Sequence, residues 1–523
     1  MIAINQIGFR PDDPKWAIAP GDLSGQPFAV VNEQGVTMLT GVFGPVMDDE
    51  PTNSRVCRAD LTPLTAPGHY HVTVTDGETS APFEIGAHVY DAIFRASLRM
   101  LYMQRCGCEL PPEKAGIWAH PACHDTPARI WETERFLNVS GGWHDAGDYG
   151  RYVVPGVKTI ADLFLLHEIA GDRSLVAADD LDIPESGNGI PDLLDEARYE
   201  LEWMLKMQDE VTGGVYHKVT CRTFPGGVMP EDEREELVLS PISDAATADF
   251  AAIMAKSATV YQPYDAHFAA VCRAAAKRAW ACLMSKTEWT GFTNPDGIRT
   301  GSYSDAHVAD EIFYAAAELE ACGEADADTA RIIAENLAQT QPCGFGWADM
   351  SGYALYSLAS RGHTHARDLL LERAEKVLTS IAADGYECSL GKWYIWGSNM
   401  VIANNGMLLL LCDHLHPDVR YHHAAHRQLD ILLGANGLNT CFVSGFGMNP
   451  MQAPHHRPFM ARGRAVPGML AGGPNMHIQD ACAKAALSGK PPALCYIDDW
   501  RSYSTNEIAI YWNSPLIFLI GAI

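Results

Sequence analysis

Two carboxylates, Asp145 and Asp148, stand three residues apart in the run Gly141-Gly142-Trp143-His144-Asp145-Ala146-Gly147-Asp148-Tyr149-Gly150-Arg151-Tyr152. Its glycines let the backbone bend sharply, so both acids can converge on one spot from a loop. Trp143, Tyr149 and Tyr152 flank them. Aromatic faces beside carboxylates suit a sugar, whose ring faces are apolar and whose rim is all hydroxyls. The same spacing also serves turns, helix caps and calcium loops.

A third carboxyl, Glu507, follows Tyr503-Ser504-Thr505-Asn506 at the predicted start of an otherwise apolar helix. A carboxylate there commonly caps the helix or meets its dipole. Facing an aromatic-lined cleft, it can instead carry a raised pKa and donate a proton. Pro454-His455-His456-Arg457 offers many donors for sugar hydroxyls, and no carboxylate beside it suggests a metal.

Cys106, Cys108, Cys123, His124 and His144 bring thiolate and imidazole, the ligands zinc prefers, and four of them close a tetrahedral site. The spacing is not that of a zinc finger. The alternative is separate buried thiols and two hydrogen-bonded histidines. A site that uses His144 would staple the loop of Asp145 and Asp148 to the first helix. Two acidic stretches offer oxygen ligands to calcium: one with Asp182, Glu185, Asn188 and Asp192, the other with Ser302, Asp305, Asp310 and Glu311. Acids near helix starts also serve as caps and dipole partners.

The elements that must position these groups fall into two zones. Residues 1–86 carry short strands (28–31, 36–39, 69–74) between Gly, Pro, Asp and Asn, which predicts a small β-sandwich without a catalytic constellation. From about residue 90 the pattern is helical, with about twelve amphipathic segments: 91–106, 156–170, one opened by Pro191, 245–261, 266–285, 307–321, 327–338, 351–360, 366–383, 399–414, 420–434 and 505–521. No strand-rich region remains, so their apolar faces must cover one another. The loops 209–244, 286–306, 339–350 and 435–480 are rich in Gly and Pro yet hold Trp, His and Arg, which points to function.

Composition excludes whole classes of partner. Thirty-eight Lys and Arg against 65 Asp and Glu give a net charge of −27, which repels nucleic acid and anionic membranes. At 47% hydrophobic and 20% charged residues, 523 residues describe a globular protein with more than one domain. No long apolar run predicts a membrane span. The N-terminus lacks the basic and apolar regions of a secretory signal. With 14 cysteines expected to be mostly reduced, the cytoplasm is the expected compartment; a leader already removed would put the chain in the periplasm or outside the cell.

Together the motifs resemble glycoside hydrolase family 9, the inverting cellulases. The 141–152 run resembles the family's catalytic-base motif, and Gly213-Gly214-Val215-Tyr216-His217-Lys218, Trp396-Gly397-Ser398-Asn399, Pro454-His455-His456-Arg457 and Tyr503-Ser504-Thr505-Asn506-Glu507 follow in the family's order. Asn5-Gln6-Ile7-Gly8-Phe9 resembles the start of the immunoglobulin-like domain that precedes many members. The resemblance implies an all-α (α/α)6 barrel at 87–523 behind an immunoglobulin-like sandwich at 1–86. It implies Asp148 as general base, Asp145 as a holder of the attacking water and Glu507 as general acid. It also implies sugar contacts from Tyr149, His217, Trp396, His455, Arg457 and Tyr503. Trp512 stands where a tyrosine usually contacts sugar, and His144 replaces a commoner tyrosine; both departures fit a zinc-bearing subgroup. In that subgroup the ligands are Cys106, Cys123, His124 and His144, with Cys108 outside, and structural calcium is expected as well.

The expected activity is hydrolysis of β-1,4-glucosidic bonds in soluble β-glucan or cello-oligosaccharides, endo or exo. An exo-β-glucosaminidase on the same scaffold is the nearest alternative. A non-catalytic carbohydrate-binding protein and a scaffold whose acids only bind calcium are the others.

Overall fold

The computed structural model describes every residue except 75–76 and 340–343; the latter take in part of the predicted loop 339–350. Short strands separated by turns build the first zone as expected. In β3 (Pro27–Asn32), Phe28 and Val30 point inward while Ala29 and Val31 are partly exposed. Eight strands make two sheets. One has the order β1 (Gly8–Phe9), β8 (Phe83–Ile85), β7 (Gly68–Val74), β3, β4 (Thr37–Val42); the other runs β2 (Trp16–Pro20), β6 (Ser54–Asp60), β5 (Met47–Asp49). Phe9, Phe28, Phe43, Tyr70 and Phe83 fill the space between them. Gly8 (φ +130°) is required where β1 runs parallel to β8, because a Cβ would lie 2.0 Å from the Glu84 carbonyl oxygen.

Among the described residues, twelve helices have ten residues or more, which matches the number and places read from periodicity. They are α1 (Asp91–Met103), α2 (Val153–Ala170), α3 (Asp192–Lys206), α4 (Asp244–Val260), α5 (Ala266–Met284), α6 (Ala309–Ala321), α7 (Ala327–Gln339), α8 (Ser351–Ser360), α9 (Thr364–Ala383), α10 (Ser398–Leu415), α11 (Val419–Leu432) and α12 (Ile510–Ala522). α3 shows why they form. Pro191 precedes it, and Leu193, Leu194, Ala197, Leu201 and Met204 make the buried stripe. No helix of the described residues is long and apolar enough to cross a membrane.

Two expectations need correction. The helical zone does contain a sheet, in the order β10 (Phe136–Leu137), β9 (Ala128–Ile130), β14 (Val238–Leu239), β13 (Lys218–Thr220), β11 (Arg151–Tyr152), with a separate pair β12 (Val215–Tyr216) and β15 (Ile242–Ser243). Pieces of two or three residues are too short to show alternation in a sequence. The last helix begins at Ile510 rather than 505; Tyr503–Asn506 is a separate turn, and Glu507 is extended (φ −69°, ψ 159°).

The chain forms two compact units: Met1–Met100, Ala374–Phe459 and Gly463–Ile523 in one, Leu101–Arg373 with Met460–Arg462 in the other. Within the first unit the sandwich is tied to the C-terminal helices by buried polar contacts. Asn5 Nδ2 donates to Asp430 Oδ1 (2.9 Å) and to the Tyr90 hydroxyl (3.2 Å), while its Oδ1 accepts from the Ile7 and Gly8 amides. Gln6 Oε1 accepts from the Met448 and Asn449 amides, and Arg427 pairs with Asp430 at 3.0 Å. The Asn-Gln-Ile-Gly start is therefore a structural joint. Replacing Asn5 by Ala strands buried partners, so this unit is expected to lose about 1–3 kcal/mol of stability. Urea unfolding read by tryptophan fluorescence checks this; an unchanged transition would contradict it.

Candidate active site

The loop 141–152 has little regular structure, so its ends hold it. Gly142 (φ +80°) passes so close to Trp203 that a Cβ would sit 2.7 Å from the indole. The Cys106 amide donates to the Gly142 carbonyl (2.7 Å) and the His144 amide to the Gln104 carbonyl (2.7 Å), a short bridge to the end of α1. Gln104 Nε2 donates to the carbonyls of His144 and Ala146, and the Trp143 amide donates to Glu200. At the far end, β11 pairs with β13, Arg151 opposite Val219 and Tyr152 opposite Lys218.

Asp145 and Asp148 are both buried. Asp148 Oδ2 accepts from the Gly150 amide (3.0 Å) and the Tyr152 hydroxyl (3.3 Å); Asp145 Oδ2 accepts from the Tyr303 hydroxyl. Fixed donors of this kind favour the ionised carboxylate and hold its direction. Tyr149 is turned inward. It is buried, donates to the Val228 carbonyl (2.5 Å) and packs on His144. His217 is also internal: Phe292 stacks on it at 3.6 Å, its nitrogens meet Ser243 Oγ and the Ser302 carbonyl, and burial drives its pKa down to about 3. Its role is to brace the strand beside the acids.

Next to this loop, Cys106, Cys123, His124 and His144 converge, with ligand atoms all within 4.8 Å of one another and all four residues buried. Cys106 Sγ is 3.6 Å from His124 Nδ1, and Cys123 Sγ is 3.8 Å from His144 Nε2. Burial opposes ionisation of Cys106. The hydrogen bond from Cys123, the Arg151 charge and the two histidines outweigh it and hold the thiol well below its usual range, in the thiolate form that binds metal. His124 turns its other nitrogen, Nε2, to Glu233 at 2.9 Å. Nothing in the sequence pointed to Glu233, 109 residues away. It fixes which ring nitrogen faces the cluster, as a carboxylate behind a metal-binding histidine does.

The third carboxyl lies in the other unit. The backbone of Glu507 bridges to His455, and its carbonyl accepts from the Gly472 amide (2.8 Å). Asp480 accepts from Ser502 Oγ and from the Ser504 amide, fixing the turn before it. His455 donates from Nδ1 to the Trp500 carbonyl (2.7 Å), and its Nε2 accepts from Arg457 (3.1 Å). Burial, then the Arg457 charge, lower the His455 pKa to about 4, so its ring is neutral at pH 7. Trp396 and Tyr503 are exposed and tilted against each other at 5.4 Å, with His455 5.9 Å beyond Tyr503. Trp512, expected to touch sugar, is buried instead. Its indole lies under Gly397 and Gly472, where a Cβ would come within 3.0 Å, so it shapes the backbone that carries Trp396 and Glu507.

Residues 90–520 match Glycosyl hydrolase family 9, and residues 1–80 match the cellulase N-terminal Ig-like domain. The chain belongs to glycosyl hydrolase family 9. A cellodextrinase from Butyrivibrio fibrisolvens is 34% identical over 100% of this chain and 99% of its own length. An endoglucanase from Alicyclobacillus acidocaldarius has a TM-score of 0.92 at 39% identity, covering 100% of this chain and 99% of that one. A family 9 endoglucanase solved as a Zn-binding triple mutant has a TM-score of 0.91 at 32% identity, covering 98% and 99%. Membership accounts for the twelve long helices and the sandwich ahead of them.

The family 9 chain gathers its remaining acids differently from the sequence-based expectation. Asp305, Asp310 and Glu311 act on one another electrostatically and on Asp249 of α4, whose two carboxylate oxygens are buried without a hydrogen-bond partner. Burial, then Asp249, Asp310 and Asp305, push Glu311 up to about 11. The Ser302 hydroxyl is engaged by Asn294 and Ser304 instead. In the other stretch Asp192 meets Asp179 and Asp195 within 4.8 Å. Asp182 is drawn off by Lys114 (2.8 Å), Glu185 by Arg105 (3.0 Å), and Asn188 turns its amide group to Asp195. Glu233→Gln is expected to weaken metal retention at the Cys106 cluster by roughly 10–100-fold. Competition with a colorimetric chelator reads this; unchanged retention would contradict the role given to Glu233.

Proposed function

We propose that this family 9 enzyme hydrolyses β-1,4-glucosidic bonds in soluble β-glucan and cello-oligosaccharides with inversion at the anomeric carbon. One observation carries the reading. Two buried carboxylates are pre-oriented by hydroxyl and amide donors, while half-buried Glu507 is bridged through its backbone to His455, whose ring lies 5.9 Å from exposed Tyr503 and, beyond it, Trp396. The aromatics stack on sugar faces, and Arg457 with neutral His455 donates to or orders the rim hydroxyls. A guanidinium there also disfavours an amino sugar's cation, which supports glucose over glucosamine.

In this mechanism Glu507, protonated, gives its proton to the glycosidic oxygen as the C1–O bond breaks. Asp148, ionised, takes a proton from a water on the opposite face of the ring, and that water's oxygen forms the new bond to C1. Asp145, fixed by Tyr303, holds the water's second hydrogen. The single displacement inverts C1 and returns both carboxyls to their starting forms after proton exchange with solvent.

We further infer that zinc occupies the Cys106, Cys123, His124 and His144 cluster. A tetrahedral zinc with thiolate and imidazole ligands sets sulfur and nitrogen about 3.6 Å apart, close to the 3.6 and 3.8 Å found here. Zinc would supply a cross-link and leave no open position for chemistry. Calcium suits the oxygen-bearing group of Asp249 and Glu311, both buried, with partly exposed Asp305 and Asp310, because buried carboxyls without hydrogen-bond partners call for a hard cation. Chelation by EGTA is therefore expected to lower the melting temperature and excess calcium to restore it, by about 2.7 kcal/mol at a hundredfold excess over Kd. A melting temperature indifferent to both would contradict calcium.

Proton NMR of cellotetraose hydrolysis tests the main proposal. The α-anomer is expected first, with Glu507→Gln slower by roughly a hundredfold or more. The β-anomer first, or full activity in the variant, would overturn it.

A further inference from the structure

Lys218 has no part in the mechanism above, yet it is fully buried next to the base. The β11–β13 register sets it opposite Tyr152. Its ammonium donates to Thr300 Oγ1 (3.1 Å) and to the Gly301 carbonyl (2.5 Å) and lies 5.3 Å from the centroid of the Tyr152 ring. That ring's hydroxyl is the one that donates to Asp148 Oδ2. A buried ammonium held only by neutral oxygens and a ring face is costly unless a negative charge is near.

We propose that Lys218 is a positioning residue for the general base: its buried charge, set across Tyr152 from Asp148, keeps Asp148 ionised and therefore able to take the water's proton. This rests on the assignment of Asp148 as base. The electrostatics agree in direction. Burial lowers the pKa of Lys218 to about 7, and the Asp148 charge is what opposes that fall. The same attraction, seen from the carboxylate, favours its ionised form. Other titratable groups face Lys218 and Asp148. Asp145, on the same loop, is a like charge that opposes ionisation of Asp148. His217, beside Lys218, is neutral, and Tyr152 is held well above the usual tyrosine range by burial and then by Asp148 and Asp145. Tyr303 faces Asp145 with a neutral hydroxyl.

The sign follows from the ammonium being charged below about pH 7. In that range Lys218 holds the pKa of Asp148 down and extends activity to lower pH. Above it, Asp148 is ionised with or without help, so the alkaline limb, set by Glu507, is indifferent to Lys218. The test is the pH profile of kcat/KM on cellotetraose for wild type, Lys218→Met and Lys218→Arg. Lys218→Met is expected to move the acid-limb midpoint up by about one pH unit, Lys218→Arg to leave it near wild type, and both to keep the alkaline limb. A uniform loss at every pH with an unmoved acid limb would overturn the proposal. Lys218→Gln, which keeps a donor to Thr300 without the charge, takes the place of Lys218→Met if that variant does not fold. A wild type without turnover would contradict the assigned reaction, a separate outcome from an unmoved limb.

Discussion

Two carboxylates three residues apart, Asp145 and Asp148, are buried inside the protein, and the surroundings of the 141–152 loop answer to that constraint. Hydroxyls from Tyr152 and Tyr303 and the Gly150 amide meet the oxygens directly. The loop is stretched between a backbone bridge to α1 and a two-residue strand on β13. Beside its middle sits the Cys106 cluster, whose His144 directly precedes Asp145. Both carboxyls therefore ride on a loop held at its two ends and flanked by the Cys106 cluster.

Glu507 is held by other means. Glu507 sits between a short turn and α12, and backbone bridges to His455 and Gly472 fix it, while buried Trp512 sets the height of the backbone on either side. The polar joint of Asn5, Gln6, Arg427 and Asp430 makes the sandwich part of the same unit, so the small β-domain supports the segment that carries Glu507.

What could be read in the sequence was whatever is local in the chain. Helical periodicity gave the twelve helices, and short strands between turn residues gave the sandwich. Thiols and imidazoles are rare and their chemistry is narrow, which brought up Cys106, Cys108, Cys123, His124 and His144 as candidates; the resemblance narrowed them to the four that converge. Contacts between distant segments were not legible. Tyr303 on Asp145, Glu233 on His124 and Asp249 among the acids each depend on tertiary packing. Burial was not legible either: Tyr149, His217 and Trp512 are internal, packed on or under their neighbours. Asp182 and Glu185 had suitable oxygens, and Lys114 and Arg105 claimed them.

The most direct measurement is a crystal structure of the Glu507→Gln variant with cellotetraose bound. The expected result has the scissile glycosidic oxygen within hydrogen-bond reach of residue 507 and an ordered water on Asp148 at the opposite face of the sugar. The two side-chain carboxyl positions should then be about 6.5–9.5 Å apart. A separation of about 5–5.5 Å with no room for that water, or a sugar bound away from Trp396 and Tyr503, would contradict the inverting assignment.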